Sequence, residues 1–366
     1  AASDENSAEA QPAWLLSGLA GAGAILAGSL WLALRRRRTT QHHHRRPGFM
    51  TAPPPPATLA VEKTLRHEGQ PIADLLGFVD ETLRRFAAAV TMQGQPLPSL
   101  VGVEVARSSL TLHLAAETAL TAPWKPGASQ TRWSITTSDD TDEIGPLAPD
   151  GPAPWPHLAT IGADDTGHWW LLNLEHLGTA TITGNPEFAD DLARYLASEL
   201  ATNPWSRDLE LDLVGVFGEL TGLDPARVHF HPEAVGIDNT LAAAVDTIDR
   251  LNLTMATDAP TARATQVGDD LWASHVLITK AQPQGNLDRL VELIQTMPGR
   301  TAAAAVIIGA GRTDGRSIEL AAGSDGRVRI PDLGLDLIAN GITIEEARGS
   351  VALLQAADNL DGAPVP

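Results

Sequence analysis

Cysteine is absent from all 366 residues. Disulfides, thiolate zinc sites and cysteine nucleophiles are therefore excluded together. Lysine is scarce, with only Lys63, Lys125 and Lys280 against abundant arginine, a bias common where coding DNA is rich in G and C. Aromatic residues are few apart from nine tryptophans. Positive charge is also unevenly spread. Arg35–Arg38, Arg45 and Arg46 hold six cations within twelve residues, and Asp4, Glu5 and Glu9 are the acids that precede them. Removing these from the totals of 26 basic and 45 acidic residues leaves 20 and 42, or −22 for the chain after Arg46. A body that acidic lacks the phosphate attraction on which nucleic-acid binding depends, so direct nucleic-acid contact is not expected. No Gly-x-Ser-x-Gly elbow marks an α/β-hydrolase nucleophile. Apolar residues make up 43% of the chain, enough for a large core.

Ala13–Leu34 is a run of 22 uncharged residues, roughly 33 Å as a helix and the thickness of a bilayer core. Trp14 and Trp31 stand near its ends, where indoles favour the interface. The arginines follow the run instead of preceding it, which argues against a cleaved leader and for a spanning helix. The expectation is therefore a single-pass membrane protein: an outer tail (1–12), a transmembrane helix (13–34), a basic and Pro-rich linker (35–56) and a cytoplasmic body. Arg35, Arg36, Arg37, Arg38, Arg45 and Arg46 are expected to touch anionic lipid. Ala20, Ala24 and Gly28 form a small-residue stripe suited to a homodimer through that helix. Pro53–Pro56 reads as a polyproline spacer.

The body divides into a small α+β segment (57–157) and an α/β tract (158–366). Pro71 is placed to open an amphipathic helix running to about Val90. Val101, Val103 and Val105 alternate, as do Leu110, Leu112 and Leu114, around Arg107-Ser108, a hairpin pattern. Asp164-Asp165-Thr166-Gly167 and Gly323-Ser324-Asp325-Gly326 mark two further hairpins. Asp139-Asp140-Thr141-Asp142-Glu143 lacks the alternating oxygens and glycine of a calcium loop and reads as a solvated loop. His229 and His231, two apart on a strand, point to one face, as metal ligands would, but no third ligand is apparent; no metal or cofactor is expected. Strands alternating with helices after residue 178 predict a mostly parallel, doubly wound sheet.

Gly178–Val216 organises that sheet: a strand (Thr179–Thr183), a Gly184-Asn185-Pro186 turn, an amphipathic helix and a second strand (Leu209–Val216). A phosphate-binding loop in this position needs G-x-x-x-x-G-K-[ST]. With Gly184 as the first glycine, Ala189 falls on the second, Asp190 on the lysine and Asp191 on the hydroxyl. Two carboxylates there repel phosphate. Neither strand end at Thr279 nor that at Ile308 carries an acid for Mg²⁺. Gly309-Ala310-Gly311 lacks the third glycine of a dinucleotide loop.

With Gly218-Glu219-Leu220-Thr221-Gly222-Leu223 and the helix after Thr240, this core resembles that of FtsK-type and type VII secretion ATPases. The order of apolar run, arginines, Pro-rich linker and α/β body resembles large actinobacterial membrane proteins that often carry LysM and bacterial transcriptional activator domains. The residues at the loop (Gly184, Asn185, Ala189, Asp190, Asp191) predict a catalytically inactive, degenerate P-loop, and the resemblance implies a role in regulation or assembly at the membrane, with its protein partner unnamed. The alternative it leaves open is an ATPase subunit of an export or conjugation machine.

Overall fold

A computed structural model describes residues 16–44, 49–51, 54–147, 151–267, 272–280, 285–309, 317–359 and 362–364. Helix α1 (Ala24–His43) precedes a short strand, β1 (Phe49–Thr51). Helix α2 (Leu59–Thr64) passes through a wider π turn at Leu65–Gly69 into α3 (Gln70–Met92), so Pro71 lies within a longer helical run instead of opening it. Strands β2 (Leu100–Ala106), β3 (Ser109–Leu114), β4 (Lys125–Pro126) and β5 (Arg132–Thr136) follow, then β6 (Leu158–Ala163) and β7 (Trp169–Asn173). A one-turn helix, α4 (Leu174–Leu177), leads to β8 (Thr179–Gly184), α5 (Pro186–Thr202), β9 (Leu209–Val214) and β10 (Val228–His231). Next come α6 (Val235–Thr254), α7 (Ala259–Thr265), β11 (Ser274–Thr279), α8 (Asn286–Thr296) and β12 (Ala303–Ile308). The chain closes with β13 (Ile318–Ala322), β14 (Arg327–Ile330), β15 (Leu335–Ala339), α9 (Ile344–Asp358) and β16 (Gly362–Pro364).

Strands β2 to β15 build one sheet in the order β10-β9-β11-β12-β8-β13-β14-β15-β6-β7-β2-β3-β5-β4. From β10 to β13 the strands are parallel; from β13 onward every pairing is antiparallel. The expected mostly parallel sheet is thus a large mixed one. The three hairpins are where the sequence placed them, but their strands add to the same sheet. The seam is β15 against β6, joined at Ile338↔Ala163 and Ala339↔Gly162. The parallel half is covered on both faces. All six residues of β12 (Ala-Ala-Ala-Val-Ile-Ile) are buried, as a strand between two helix layers requires. Helices α1, α5 and α9 pack on one face, and α6 and α8 on the other. On the antiparallel half, α3 covers one face through Leu76, Val79, Leu83 and Phe86, and β3 alternates half-buried and buried residues in keeping with that.

The apolar run at 13–34 is not a membrane span. From Leu16 it breaks into two 3₁₀ turns, Ser17–Leu19 and Gly21–Gly23, and α1 starts only at Ala24. Eleven uncharged residues then precede Arg35, and the helix continues through the arginines to His43. Among the described residues no helix is long and apolar enough to cross a membrane, and this overturns both the transmembrane helix and the single-pass membrane location. The physical reason is burial by protein. Leu26, Leu30 and Leu34 have no exposed surface and join the core under α5 and α9, while Ile25 joins that of α3. The Leu26 N–H donates to the Tyr195 hydroxyl at 3.2 Å. A methyl group added at Gly28 would lie 2.9 Å from Leu76 Cδ1, so the small residue serves a close crossing within the chain. A helix buried on all sides is apolar on all sides, and hydropathy cannot distinguish that from lipid.

The arginines after the run also meet protein. Arg37 pairs with Asp358 at 2.5 Å and donates to the Leu223 carbonyl, and Arg38 reaches Glu62 at 2.9 Å. Arg35 and Arg36 are exposed, and Arg45 and Arg46 lie outside the described residues.

Candidate functional site

The β8–α5 junction sits at the carboxyl end of the parallel strands, where open α/β sheets hold ligands. Strand β8 lies between β12 and β13, with Ala180 opposite Val306 and Ile318. It ends at Gly184, whose φ of +99° and 2.2 Å approach of a notional Cβ to the Ala322 carbonyl admit only glycine. Helix α5 starts two residues later, at Pro186. A single residue, Asn185, therefore connects strand to helix.

That residue takes up the helix terminus. Asn185 Oδ1 accepts from the N–H groups of Glu187 at 3.0 Å and Phe188 at 3.3 Å. Pro186 has no N–H, and the Ala189 N–H donates to the Asn185 carbonyl at 2.9 Å. The Asn185 N–H itself donates to Ala322 at 2.9 Å. Every backbone donor from Asn185 to Ala189 is thus either missing or committed. A phosphate cradle depends on several such donors being free.

Among the residues singled out from the sequence, Ala189 is buried in the core, 3% exposed. Asp190 points at the end of β11, where Lys280 Nζ meets its Oδ2 at 2.6 Å. Its other oxygen is buried with no hydrogen-bond partner among the described residues. Asp191 turns aside to Arg194 at 2.7 Å, and Arg194 also bonds Glu219 at 3.1 Å and the Ile342 carbonyl at 3.0 Å. Burial raises the Asp191 carboxyl above its usual range, against the pull of Arg194. Gly184, Asn185, Ala189 and Asp190 therefore share the junction, while Asp191 belongs to a separate ion-pair network. The sequence places Lys280 at the end of β11 but gives no sign that it meets Asp190. It is one of three lysines and stands at a strand end where a nucleotidase needs an acid. Asp190 in the lysine position and Lys280 at the acid position make a charge-inverted pair.

Gly309 ends β12 with φ +130° and donates to the Ile182 carbonyl at 3.0 Å; Ala310 and Gly311 lie outside the described residues. His229 and His231 share a face, yet each has its own carboxylate. His229 Nε2 is 2.9 Å from Glu210, and His231 Nε2 is 2.8 Å from Asp212, which also accepts from the Thr240 hydroxyl at 2.9 Å.

No family model matches the chain, and neither does any curated protein. Similarity to solved structures is low. ATPases 2 and 3 of Thermomonospora curvata EccC, in complex with a signal sequence peptide, are 14% identical over 62% of this chain and 53% of that one, with a TM-score of 0.45. The cytoplasmic domain of the Thermomonospora curvata type VII secretion ATPase EccC is 15% identical over 61% and 34%, at 0.43. The pCW3 conjugation coupling protein TcpA, as a monomer with ATPγS, is 10% identical over 70% and 94%, at 0.37. The chain spans about half of the first and a third of the second. These are likenesses of α/β layout, and the LysM and activator parts of the expected resemblance stay outside them. What the junction can do follows from its own residues.

Proposed function

We propose that the chain is a P-loop ATPase-like module that does not use nucleotide and serves regulation or assembly. The observation that carries this reading is the occupied helix terminus: Asn185 fills the N-terminus of α5 across a one-residue connection, where a phosphate loop keeps its amides free. The Asp190–Lys280 pair supports it. Replacing the phosphate-binding cation by a carboxylate places like charge beside a triphosphate, a cost on the order of several kcal/mol at an effective dielectric near 20. Lys280 is already engaged by that carboxylate. The second reading, an ATPase subunit of a secretion or conjugation machine, fits the same α/β layout.

Calorimetric titration of the full chain with Mg-ATP, followed by a phosphate-release assay, separates the two. The module reading expects no saturable heat and no turnover, for the native chain and for Asp190→Ala alike. Micromolar binding that disappears when Gly184–Asp191 is altered would sink it and establish the ATPase reading.

A further inference from the structure

On the antiparallel half, far along the sheet from the β8–α5 junction, three donors from separate segments converge. Glu104 projects from β2 on the face away from α3, His168 immediately precedes β7, and Asp164 starts the tight turn between β6 and β7. One ligand atom from each lies within 4.8 Å of the other two. His168 Nδ1 is 2.7 Å from Glu104 Oε1 and 4.0 Å from Asp164 Oδ2. Two donors on one tetrahedral ion at about 2.1 Å stand about 3.4 Å apart, so the observed separations bracket the required one.

Each carboxylate has one oxygen anchored elsewhere and presents the other. Asp164 Oδ1 accepts from the Thr166 N–H at 2.9 Å, the Thr166 hydroxyl at 2.6 Å and the His168 N–H at 3.0 Å. Among the described residues its Oδ2 accepts only from the Trp170 indole N–H, at 3.4 Å. Glu104 Oε2 faces His113 and Arg132, both at 3.2 Å, which leaves Oε1 toward His168. Anchoring of this kind is how outer-shell groups hold ligands in place. The cation at Arg132 is half exposed and touches the oxygen that is not presented.

We propose that Glu104, Asp164 and His168 form a binding site for a divalent first-row metal ion. Two carboxylate oxygens and one imidazole, with no thiolate, suit zinc and its neighbours; calcium takes oxygen ligands alone. The ion ties β2 to the β6–β7 turn and keeps positions open for water or a partner's side chain.

Zinc is the probe, titrated calorimetrically into the metal-free full chain. Because His42–His44 also offer imidazoles, the decision rests on variants. The native chain is expected to take up one zinc that His168→Ala and Glu104→Gln each weaken by at least roughly tenfold, with circular dichroism unchanged. His113→Ala, which removes an anchor of the other Glu104 oxygen and a ring packed on Trp170 but no ligand, is expected to keep that zinc with a smaller loss of affinity than His168→Ala. Bound zinc also raises the native chain's melting temperature by mass action, and raises that of His168→Ala less at the same zinc concentration. Absence of stoichiometric zinc uptake, or uptake equally strong in His168→Ala, would overturn the site.

Discussion

Glu199 on α5 has no exposed surface, and its oxygens accept from the Thr160 N–H at 3.2 and 3.1 Å and from the Thr160 hydroxyl at 2.9 Å. The β6–β7 register slips just there, between Thr160 and Gly162. Burial pushes the Glu199 carboxyl up to about 8, the Thr160 donors offsetting only part of the rise. A raised folded-state value means that the contribution to stability is fully present below the unfolded value, near 4.5, and is lost as pH rises through about 8. Glu175 behaves in the opposite sense. Burial alone would raise it, but Arg263 at 2.6 Å and His157 hold it at about 2, so its contribution is lost only as pH falls toward that value. The two windows do not overlap. Urea midpoints measured from pH 5 to 8 should therefore fall for the native chain and fall less for Glu199→Gln, the gap reaching a few kcal/mol at about pH 8. Parallel curves for the two proteins would show that Glu199 does not titrate in this range.

At the scale of elements, α1 makes the sharpest prediction. Leu30 is fully buried between helices of the same chain. Leu30→Ala should lower unfolding free energy by about 2–5 kcal/mol, the cost of lost burial plus a cavity. Arg35→Ala on the exposed flank should stay within roughly 0.5 kcal/mol. Equal, negligible shifts in urea denaturation would mean that α1 is not packed in the core. The same helix shows where legibility ended. The elements themselves could be read from the chain: the β8–α5–β9 unit, the three hairpins and the amphipathic faces of α3 and α8 follow from local spacing. Whether an apolar segment meets lipid or protein is a long-range fact. Tyr195, Leu76 and Asp358 decide it from 48 or more residues away in sequence. The candidate site divides in the same way. Gly184-Asn185-Pro186 announced a turn into a helix, whereas the Asp190–Lys280 pair spans 90 residues and depends on β11 lying two strands from β8. The Glu104–Asp164–His168 cluster spans 64 residues and was invisible as a motif for the same reason.

Across the whole molecule, the chain's two ends are interlocked. Strands β1 and β16 pair, α1 packs on α9, and Gln41 donates to the Asn359 carbonyl at 2.6 Å. Between β15 and β6 the ladder joining the two halves of the sheet has two residue pairs, extended by the Asn340 N–H donating to the Ile161 carbonyl at 3.3 Å and by the Arg327–Asp165 ion pair at 2.9 Å, a thin hydrogen-bonded seam. The apolar core crosses it more heavily: Ala159, Ile161 and Leu172 of the antiparallel half belong to the same cluster as Ile182, Leu196 and Val306 of the parallel half. Helix α1 adds a second bridge, with Ile25 in one core and Leu26 in the other. Burial at roughly 25 cal/mol per Å² then outweighs a few ladder hydrogen bonds worth about 1 kcal/mol each, and the halves should unfold together. The tryptophans make this testable. Trp124, Trp133, Trp155 and Trp169 lie in the core of the antiparallel half and Trp272 packs with α6 and α7 in the other, so fluorescence weights the antiparallel half, while far-ultraviolet circular dichroism draws mainly on α5, α6, α8 and α9 of the other, with α3 adding to it. Urea transitions followed by the two probes should superimpose, as a single cooperative unit requires. Leu26→Ala should move both midpoints by the same amount. Fluorescence that changes at lower urea than ellipticity would mean that the seam is weaker than the core crossing it and that the sheet unfolds in two steps.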